Sequence, residues 1–402
     1  MEKALEGVRV LDLTRVLAGP YASMILGDLG ADIIKIENTQ GGDDSRGFGP
    51  FVNGESVYFI SLNRNKKSLS LNLKTEEGKE IFLKLVKDAD IVLENFRPGT
   101  MEKLGLGYEE LEKINPGLIY AATSGFGHTG PYREKAAYDL IVQGMGGIMS
   151  LTGDPEGPPT RVGASVGDIT SGLFTTIGIL AAFNKRKETG KGQKVDVSML
   201  DCQVAILENA IARYAVSGTS PKPTGNRHPS ITPFSVFKAS DGYVIVAAGN
   251  DTLWKKWCST VGRADLAEDA RFKTNGNRTD NWDALEPIMN EVISHKRVEE
   301  WLTIFEEAGI PASPINDVEK VVEHPQVQAR EMIVHQEHPI AGRIMVPGIP
   351  IKLSKNPGSI DEPAPLLGQH NEMILRQLGY TEKDMERFEE KGVIVGNKAL
   401  VK

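Results

Sequence analysis

The chain has 402 residues, of which 40% are hydrophobic and 25% are charged, so its composition is ordinary for a globular protein and its length suits two domains. A formal net charge of -8 disfavours a nucleic-acid partner, because such binders carry a basic surface. The only cysteines, Cys202 and Cys258, lie outside metal-binding spacings, which argues against a disulfide framework and a structural metal and fits a reducing cytoplasm.

The first two hundred residues alternate short apolar runs with helical patterns, which is typical of a parallel sheet covered by helices. The apolar runs predict six strands, at residues 8–13, 33–36, 68–73, 91–94, 118–123 and 195–199. Between two of them, Thr75 is placed to cap a helix whose first turn holds Glu76 and Glu77. This segment predicts a strand–helix–strand unit.

The pattern changes after residue 220, where apolar runs at residues 234–237 and 243–247 flank Asp241 and Gly242. An Asp-Gly turn between such runs predicts an antiparallel hairpin. We therefore expect an α/β fold with a large domain and a smaller α+β domain. The expected parts are the N-terminal part of the large domain at 1–200, a linker helix at 201–224, the small domain at 225–330, a second linker at 331–355 and a C-terminal segment at 356–402.

Residues 125–130, Gly-Phe-Gly-His-Thr-Gly, fit the dinucleotide fingerprint and follow a predicted strand. The fingerprint works because its last glycine opens a helix whose N-terminus holds a pyrophosphate. Here Pro131 and Tyr132 follow, without an apolar helical stripe. The missing helical stripe therefore disfavours a dehydrogenase. A NAD-dependent dehydrogenase or a nucleotide-binding module remains the third of three alternatives.

Asp168 lies among Gly163, Gly167 and Gly172, just before an apolar helical pattern at residues 173–183. The local pattern alone favours a helix N-cap, since Asp is a common cap. Two features favour chemistry instead. The glycines leave the backbone open to a bulky ligand and to a developing oxyanion. An Asp with its usual pKa of ~3.9 is also ionised at neutral pH and can attack an activated carbonyl without a general base.

Basic residues stand out in the N-terminal half of this acidic chain: Arg15, Arg64, Lys66, Lys67, Lys74, Arg97 and Lys103. Such residues are usually solvated surface. A phosphate-bearing ligand needs several of them on one side, and the strand-to-helix turns of a parallel sheet are where such ligands bind. The sequence does not show whether these residues converge.

Three further features favour structural roles. His335 and His338 are the only histidines with a conceivable metal spacing, and their segment is expected to be a loop. Cys202 sits in an apolar helical pattern without a nearby base, which indicates a buried thiol. The longest apolar run, residues 172–183, is shorter than the roughly 20 residues that span a bilayer, and the N-terminus lacks an apolar signal core, so we expect no export and no membrane insertion.

Several short motifs are spread in order along almost the whole chain. They are Leu-Asp-Leu-Thr at 11–14, Ala-Gly-Pro at 18–20, residues 30–37 and 63–68, Glu-Asn-Phe-Arg-Pro-Gly at 94–99, Gly-Asp at 167–168 and Leu-Leu-Gly-Gln-His at 366–370. Together they resemble the class III CoA-transferases, a family that includes formyl-CoA:oxalate CoA-transferase and the α-methylacyl-CoA racemases. The segment from residue 228 to residue 251 is most similar to the branch that acts on dicarboxylic acids, such as the succinyl-CoA:glutarate type.

The resemblance implies an enzyme that moves CoA from an acyl-CoA to a free carboxylate, with Asp168 as the nucleophile. It implies that CoA lies along Val16, Leu17, Leu71, Lys74, Asn95, Phe96, Lys103 and Tyr138, where the two lysines suit the phosphates. Asp139 matches a carboxylate beside the catalytic centre. Arg161, close to Asp168 in sequence, is a candidate partner for the distal carboxylate of a dicarboxylic substrate.

Some positions depart from the family pattern. An Arg that contacts the nucleotide in formyl-CoA transferase corresponds to Asn38, a Lys corresponds to Ala136, and the glycine tetrad over its active site has no counterpart. These departures disfavour formate–oxalate specificity. The racemases carry a His base where this chain has Tyr138, and an unperturbed Tyr, with a pKa of ~10, is a poor base at neutral pH. Racemisation is therefore the less favoured alternative to transfer.

The reaction that the resemblance implies passes through a mixed anhydride on Asp168 and an aspartyl-CoA thioester. It needs CoA only as the acyl-CoA substrate, and neither a metal nor a redox cofactor. Family members are homodimers whose chains interlock, with a Rossmann-like large domain built from both chain ends, and we expect the same here. The sequence leaves the donor and acceptor acids open.

Overall fold

The computed structural model describes residues 2–396 and divides the chain into two compact units. The larger unit combines Met1–Ile148, Val162–Ile211 and Gln326–Lys402. The smaller unit combines Met149–Arg161 and Ala212–Pro325. Segments that are far apart in sequence therefore share one core in the larger unit.

Strands and helices alternate through most of the described residues. The strands are β1 (Arg9–Asp12), β2 (Asp32–Glu37), β3 (Phe51–Val52), β4 (Glu55–Ser56), β5 (Lys66–Ser70), β6 (Ile91–Glu94), β7 (Ile119–Ser124), β8 (Lys194–Ser198), β9 (Phe234–Lys238), β10 (Tyr243–Ala247), β11 (Ala312–Pro314), β12 (Ile333–His338) and β13 (Gly342–Pro347). The α-helices are α1 (Ala18–Asp28), α2 (Val57–Leu62), α3 (Glu76–Lys87), α4 (Thr100–Lys103), α5 (Tyr108–Ile114), α6 (Asp139–Met145), α7 (Val166–Thr189), α8 (Met199–Ala205), α9 (Ala210–Ser217), α10 (Asp251–Thr260), α11 (Ala264–Glu268), α12 (Asn275–Asp280), α13 (Trp282–Ser294), α14 (Val298–Ala308), α15 (Val318–Glu323), α16 (Pro325–Ala329), α17 (Asn371–Gln377) and α18 (Glu382–Glu390).

Six strands form one parallel sheet in the order β5-β2-β1-β6-β7-β8. The predicted parallel sheet is thereby confirmed. From β1 the chain continues to β2 on one side, whereas from β6 it continues to β7 on the other side. The loops after β1 and β6 therefore diverge, and the crevice between them, at the carboxyl edge, is where open α/β sheets bind ligands.

The predicted strand at residues 68–73 is displaced in the structure, where β5 covers Lys66–Ser70. The alternating Leu69, Leu71 and Leu73 shifted the prediction toward the C-terminus, whereas pairing with β2 already begins at Lys66. The helix predicted after Thr75 is confirmed. Thr75 accepts a hydrogen bond from the backbone N–H of Gly78 and caps α3.

Helices cover both faces of the sheet, so its strands are apolar on both sides. Val10 of β1 belongs to one core cluster, which also contains Ile179 of α7. The next residue, Leu11, belongs to a second cluster with Ile81 of α3 and Ile374 of α17. The alternation of adjacent residues between two cores fixes the register of the central strand.

A cluster of buried ions lies beneath the loop that follows β1. Lys66 Nζ lies 3.2 Å from Asp12 Oδ2, and Lys35 Nζ lies 2.9 Å from Asp43 Oδ2, with all four side chains excluded from solvent. Lys35 also donates a hydrogen bond of 2.7 Å to the carbonyl oxygen of Thr14. Because an unpaired buried charge is costly, these contacts hold the loop at residues 14–17 in one position.

The smaller unit contains an antiparallel sheet in the order β11-β10-β9. In the β9–β10 hairpin, Tyr243 pairs with Lys238 across the turn at Asp241 and Gly242, which confirms the predicted hairpin. Its core is aromatic, with the rings of Trp254 and Trp257 stacked at 5.2 Å.

The segment with His335 and His338 was predicted to be a loop, and this is wrong. Both residues lie on β12, which pairs antiparallel with β13. All four residues of His335–His338 are charged or polar, so the composition of the strand hides the extended pattern. His338 is buried and its Nδ1 accepts a hydrogen bond from the backbone N–H of Ala341.

Helix α7 differs from its prediction in length and in the position of Asp168. It begins at Val166 rather than residue 173, with Ser165 at the N-cap position, so Asp168 lies inside the first turn and is not the cap. Among the described residues, α7 is also the helix long and apolar enough to cross a membrane, with 24 residues and a mean hydropathy of 1.5 in its 18-residue window. This length corrects the estimate from residues 172–183. One side of α7 packs on α1 and on β7 and β8.

Lys35→Met should destabilise the protein by about 3–5 kcal/mol, because it leaves Asp43 buried without its cation and the Thr14 carbonyl without its donor. Denaturant unfolding would measure the loss. The matched control is Lys67→Met, which breaks the partly exposed Lys67–Asp32 pair and should cost about 0–1 kcal/mol. Equal losses in the two variants would contradict a special role for the buried cluster.

Candidate active site

Two adjoining cavities lie at the carboxyl edge of the parallel sheet, within the larger unit. The first, called the Asp168 cavity, has a volume of about 180 Å³ and is formed by the loops after β1, β6 and β7 together with Asp168. The second, called the Lys74 cavity, has a volume of about 580 Å³ and is formed mainly by the loops after β2, β5 and β6. Phe96 lines both, so its ring lies at their junction.

The residues expected to contact CoA gather at these two cavities. Those lining the Asp168 cavity are Val16, Leu17, Asn95, Phe96 and Tyr138, and those lining the Lys74 cavity are Leu71, Lys74, Phe96 and Lys103. They come from segments spread over more than a hundred residues of sequence, and the parallel sheet brings them to one edge. The two lysines lie in the larger cavity and Asp168 lies in the smaller one.

Asp168 is partly buried on the wall of its cavity. Burial, and then the negative charge of Asp139, raises the pKa of Asp168 to about 7. The expectation of an ordinary carboxylate pKa is therefore wrong, because the sequence does not show the apolar enclosure or the neighbouring carboxylate. Near neutral pH the free protein holds Asp168 partly protonated.

Asp139 begins helix α6 and is tied to the first turn of α7. Its Oδ1 accepts the backbone N–H of Gly167 at 2.8 Å, and its Oδ2 accepts Nε2 of Gln143 at 2.8 Å. A Cβ at Gly167 would lie 2.7 Å from Val142 Cγ2, so glycine allows the two helices to approach closely. The carboxylates of Asp139 and Asp168 are thus held in one neighbourhood by backbone contacts.

The three glycines near Asp168 do not share the role first expected of them. Gly172 is needed for packing, since a Cβ there would lie 2.7 Å from the Ala18 carbonyl oxygen of α1. Gly167 is needed for the approach of α6. Of the three, only Gly163 would place an added Cβ in open space, so packing does not require a glycine there.

Val16 adopts a left-handed backbone with φ of 68°, which is unfavourable for a β-branched residue. Its N–H donates to Asp43 Oδ1 at 3.0 Å, and Asp43 is itself held by Lys35. The preceding residue, Arg15, exchanges two hydrogen bonds with the side-chain amide of Asn95. The buried ion cluster and Asn95 together maintain this strained turn at the cavity wall.

Phe96 is positioned by Glu94 at the end of β6. Glu94 Oε2 accepts the Phe96 backbone N–H at 2.7 Å, and Oε1 accepts the hydroxyl of Tyr120 at 3.3 Å. Burial raises the pKa of Glu94 to about 8, and the Nε2 of His128 lies 3.8 Å from its Oε1. A buried group thus fixes the backbone of the residue that separates the two cavities.

The basic residues singled out in the sequence divide into two groups, apart from Lys67, which pairs with Asp32 away from both cavities. Arg64 and Lys66 are buried, and they pair with Asp28 and Asp12 within the fold. The others at the site are Arg15 and Arg97 in the Asp168 cavity and Lys74 and Lys103 in the Lys74 cavity. The sequence could not make this division, because a buried lysine and a solvated lysine look alike without their partners.

Several residues that line the Asp168 cavity were not identified as candidates in the sequence, among them Asp44, Ser124 and Lys135. Lys135 lines the Asp168 cavity, and so does Ser124, which ends β7 and whose buried Oγ lacks a hydrogen-bond partner among the described residues. A buried hydroxyl in this state is ready to bond a ligand. The signal available in the sequence was its place at the carboxyl end of a predicted strand, next to Gly125.

Other candidates have ordinary structural explanations. After Gly130 the chain forms turns and the next helix begins at Asp139, so residues 125–130 do not open a helix. Cys202 is buried and unpaired, and burial raises the pKa of its thiol to about 12. Residues 2–396 contain no group of three or more His, Cys, Asp or Glu side chains that could hold a metal. Arg161 belongs to the smaller unit, and its role at a distal carboxylate stays a prediction.

Comparisons with known proteins agree on one family. The model of CoA-transferase family III matches residues 5–371. Acetyl-CoA:oxalate CoA-transferase from Acetobacter aceti is 45% identical over 379 residues, covering 94% of this chain and 96% of that protein. Succinyl-CoA:glutarate CoA-transferase from Mus musculus is 42% identical over 394 residues, covering 98% of this chain and 90% of that protein. A crystal structure of a CaiB/BaiF family protein from Brucella suis has a TM-score of 0.84 and 42% identity, covering 94% of this chain and 100% of that one.

Asp168→Asn should stabilise the unliganded protein by about 2 kcal/mol at pH 8. The folded-state pKa lies above the unfolded value, so stability falls as pH rises from about 4, where the unfolded carboxyl ionises, to about 7, where the folded one does, and it levels off above that pH. Asn removes this cost. The difference in free energy of unfolding between variant and wild type should therefore stay nearly constant from pH 8 to pH 7 and shrink from pH 7 to pH 5 in denaturant titrations.

The control for this experiment is Asp201→Asn. Asp201 occupies the corresponding position in the first turn of α8 but is exposed. Its loss should cost about 0.3–1 kcal/mol, because an acidic residue favours a helix N-terminus. A stabilisation in both variants, or one for Asp168→Asn that does not depend on pH, would show that folding does not raise the pKa of Asp168.

Proposed function

The chain belongs to CoA-transferase family III and moves CoA from an acyl-CoA to a free carboxylate, and on that basis we propose that Asp168 is its covalent nucleophile and that the acids it serves are dicarboxylic. The observation that carries the proposal is the pair of adjoining cavities. One holds a carboxylate in a partly buried setting, and the other holds two lysines. CoA has the matching shape, with phosphates at one end and a reactive thioester at the other.

The proposed reaction begins when an Asp168 carboxylate oxygen attacks the thioester carbonyl carbon and expels CoA thiolate, which gives a mixed anhydride. The thiolate then attacks the Asp168 carbonyl carbon of the anhydride, releases the first acid and leaves an aspartyl-CoA thioester. The acceptor carboxylate attacks the same carbon, expels CoA and forms a second anhydride. CoA thiolate finally attacks the acceptor carbonyl and restores the Asp168 carboxylate.

The surroundings of Asp168 support this role. Burial lifts its pKa toward neutrality, so the ionised form is a stronger nucleophile than an ordinary aspartate. Its place in the first turn of α7 puts the partial positive charge of the helix N-terminus beside the charge that develops on the carbonyl oxygen. Ser124 Oγ, buried on the same cavity wall, is a further donor for the acyl group.

In the proposed complex CoA extends over both cavities. Lys74 and Lys103 bind its phosphates, Leu71 contacts the nucleotide, and the pantetheine arm passes Phe96. Val16, Leu17, Asn95 and Tyr138 then surround the thioester end in the Asp168 cavity. Asp139 does not contact the thioester in this arrangement, but its negative charge adds to the effect of burial in raising the pKa of Asp168.

Dicarboxylic specificity is proposed from the relatives. The names of two of them include oxalate and glutarate, which differ in length by three methylene groups. Their similarity to this chain is nearly the same, so the comparison supports a second carboxylate without selecting its distance from the first. The names are those of transferases, which supports transfer over racemisation.

We also propose that the protein is an interlocked homodimer that works in the cytoplasm. An apolar face of the larger unit supports the dimer: Leu140, Ile141 and Met145 of α6 and Leu173, Phe174 and Ile177 of α7 are all exposed in the single chain. Exposed apolar patches of this kind mark interaction surfaces. The two unpaired cysteines suit a reducing compartment.

Incubation with an acyl-CoA should attach CoA to the peptide that contains Asp168, and mass spectrometry of the digested protein would detect the added mass. Asp168→Asn should form no adduct and should lose transferase activity by on the order of 10³-fold or more, since it lacks the nucleophile. Asp201→Asn should form the adduct normally. A fully active Asp168→Asn variant, or an adduct on another residue, would refute the proposed nucleophile.

Lys103→Met and Lys74→Met should each raise the KM for acyl-CoA by about tenfold with little change in kcat, because each removes a cation from a phosphate that does not react. Steady-state kinetics at fixed ionic strength would measure this. Lys113→Met is the control, since Lys113 pairs with Glu110 on the exposed side of α5. An unchanged KM in both variants would exclude the Lys74 cavity as the phosphate site.

A further inference from the structure

We propose that Arg15 selects dicarboxylic substrates by pairing with the distal carboxylate of the acyl group whose other end reacts at Asp168. Arg15 and Asp168 line the same cavity, one from the loop after β1 and one from the first turn of α7. The inference rests on the proposed function and adds to it a residue that distinguishes dicarboxylates from monocarboxylates.

The backbone of Arg15 is fixed at the cavity wall. Its N–H donates to Asn95 Oδ1 at 3.0 Å, and its carbonyl oxygen accepts Asn95 Nδ2 at 2.8 Å. The next residue, Val16, is held in its left-handed conformation by Asp43. A side chain that starts from so rigid a point reaches a limited region, which is the condition for selecting a ligand by length.

The guanidinium of Arg15, by contrast, is lightly held. Its Nη1 lies 3.0 Å from Asp44 Oδ2, and the two side chains are 44% and 51% exposed. Such a pair contributes only about 0–1 kcal/mol, so a substrate carboxylate can replace Asp44 at little cost. Arg46 and Arg64 illustrate the opposite case, because each makes two hydrogen bonds to a buried carboxylate.

Asp44 also lines the Asp168 cavity, and it indicates where a carboxylate can sit against Arg15. The guanidinium lies 5.3 Å from the centre of the Phe96 ring, which supports one side of its plane and leaves its N–H edge for a planar carboxylate. Lys135 offers only a point charge, and its Nζ lies 3.5 Å from the centre of the Tyr132 ring. Arginine geometry therefore favours Arg15 over Lys135 for a carboxylate ligand.

Because Asp44 and the substrate carboxylate would compete for the Arg15 guanidinium, changes at Arg15 and at Asp44 should have opposite effects. Removing Arg15 should weaken dicarboxylate recognition, whereas neutralising Asp44 should strengthen it, because the guanidinium is then released from its internal partner. A structural role for the Arg15–Asp44 pair would instead make both changes harmful in the same direction. The two variants together separate recognition from folding.

The experiment compares glutaryl-CoA with valeryl-CoA, which have the same chain length and differ in the terminal carboxylate. Single-turnover formation of the Asp168–CoA adduct is followed by mass spectrometry over a range of donor concentrations. Arg15→Gln should lower the efficiency ratio of glutaryl-CoA to valeryl-CoA by about tenfold, the size expected for one charge-assisted hydrogen-bonded pair. Asp44→Asn should raise the same ratio.

The controls distinguish the possible failures. Arg97→Gln removes another cation of the cavity and should leave the ratio unchanged. Equal losses for both thioesters in Arg15→Gln would assign Arg15 to CoA itself and overturn the proposal, as would an unchanged or lowered ratio in Asp44→Asn. Wild-type protein that forms no adduct with either thioester would instead refute Asp168 as nucleophile. Should Arg15→Gln fail to fold, the Asp44→Asn ratio decides the question.

Discussion

The buried pairing of Lys35 with Asp43 is the contact on which the site depends. Lys35 is fully enclosed and holds both Asp43 and the carbonyl of Thr14. Asp43 in turn accepts the N–H of Val16, whose left-handed backbone would otherwise relax. The charges are costly to bury, and their partners must all be present together. That requirement turns a short loop after β1 into a rigid cavity wall.

The topology of the sheet determines what this wall faces. Because the chain leaves β1 toward β2 and leaves β6 toward β7, a crevice opens between them, and Phe96 stands in it. The hydrogen bond from its N–H to Glu94 fixes the backbone of Phe96 at the end of β6. Backbone contacts thus fix the positions of Val16 and Phe96, from which their side chains extend into the cavities.

Sequence patterns predicted the helices and strands more reliably than they predicted the surroundings of Asp168. Short apolar runs located the six parallel strands, although β5 was displaced, and Thr75 located the start of α3, because these signals are local. The start of α7 was misjudged, since the polar residues Asp168 and Thr170 interrupt an apolar pattern although they belong to the helix. The pKa of Asp168 and the burial of Lys66 depend on partners distant in sequence, so no local pattern contains them.

The raised pKa of Asp168 has a consequence for reversible transfer. In the proposed reaction an acyl group moves between Asp168 and ordinary carboxylic acids, whose pKa values lie near 4 to 5. A more basic Asp168 carboxylate attacks better but is the poorer leaving group of the mixed anhydride, which favours attack of the thiolate on the Asp168 carbonyl and release of the first acid. A dicarboxylate brings a further negative charge into the Asp168 cavity and would suppress ionisation of Asp168. Arg15 is a cation in the same cavity, and in the proposed complex it would offset that charge and favour the ionised form of Asp168.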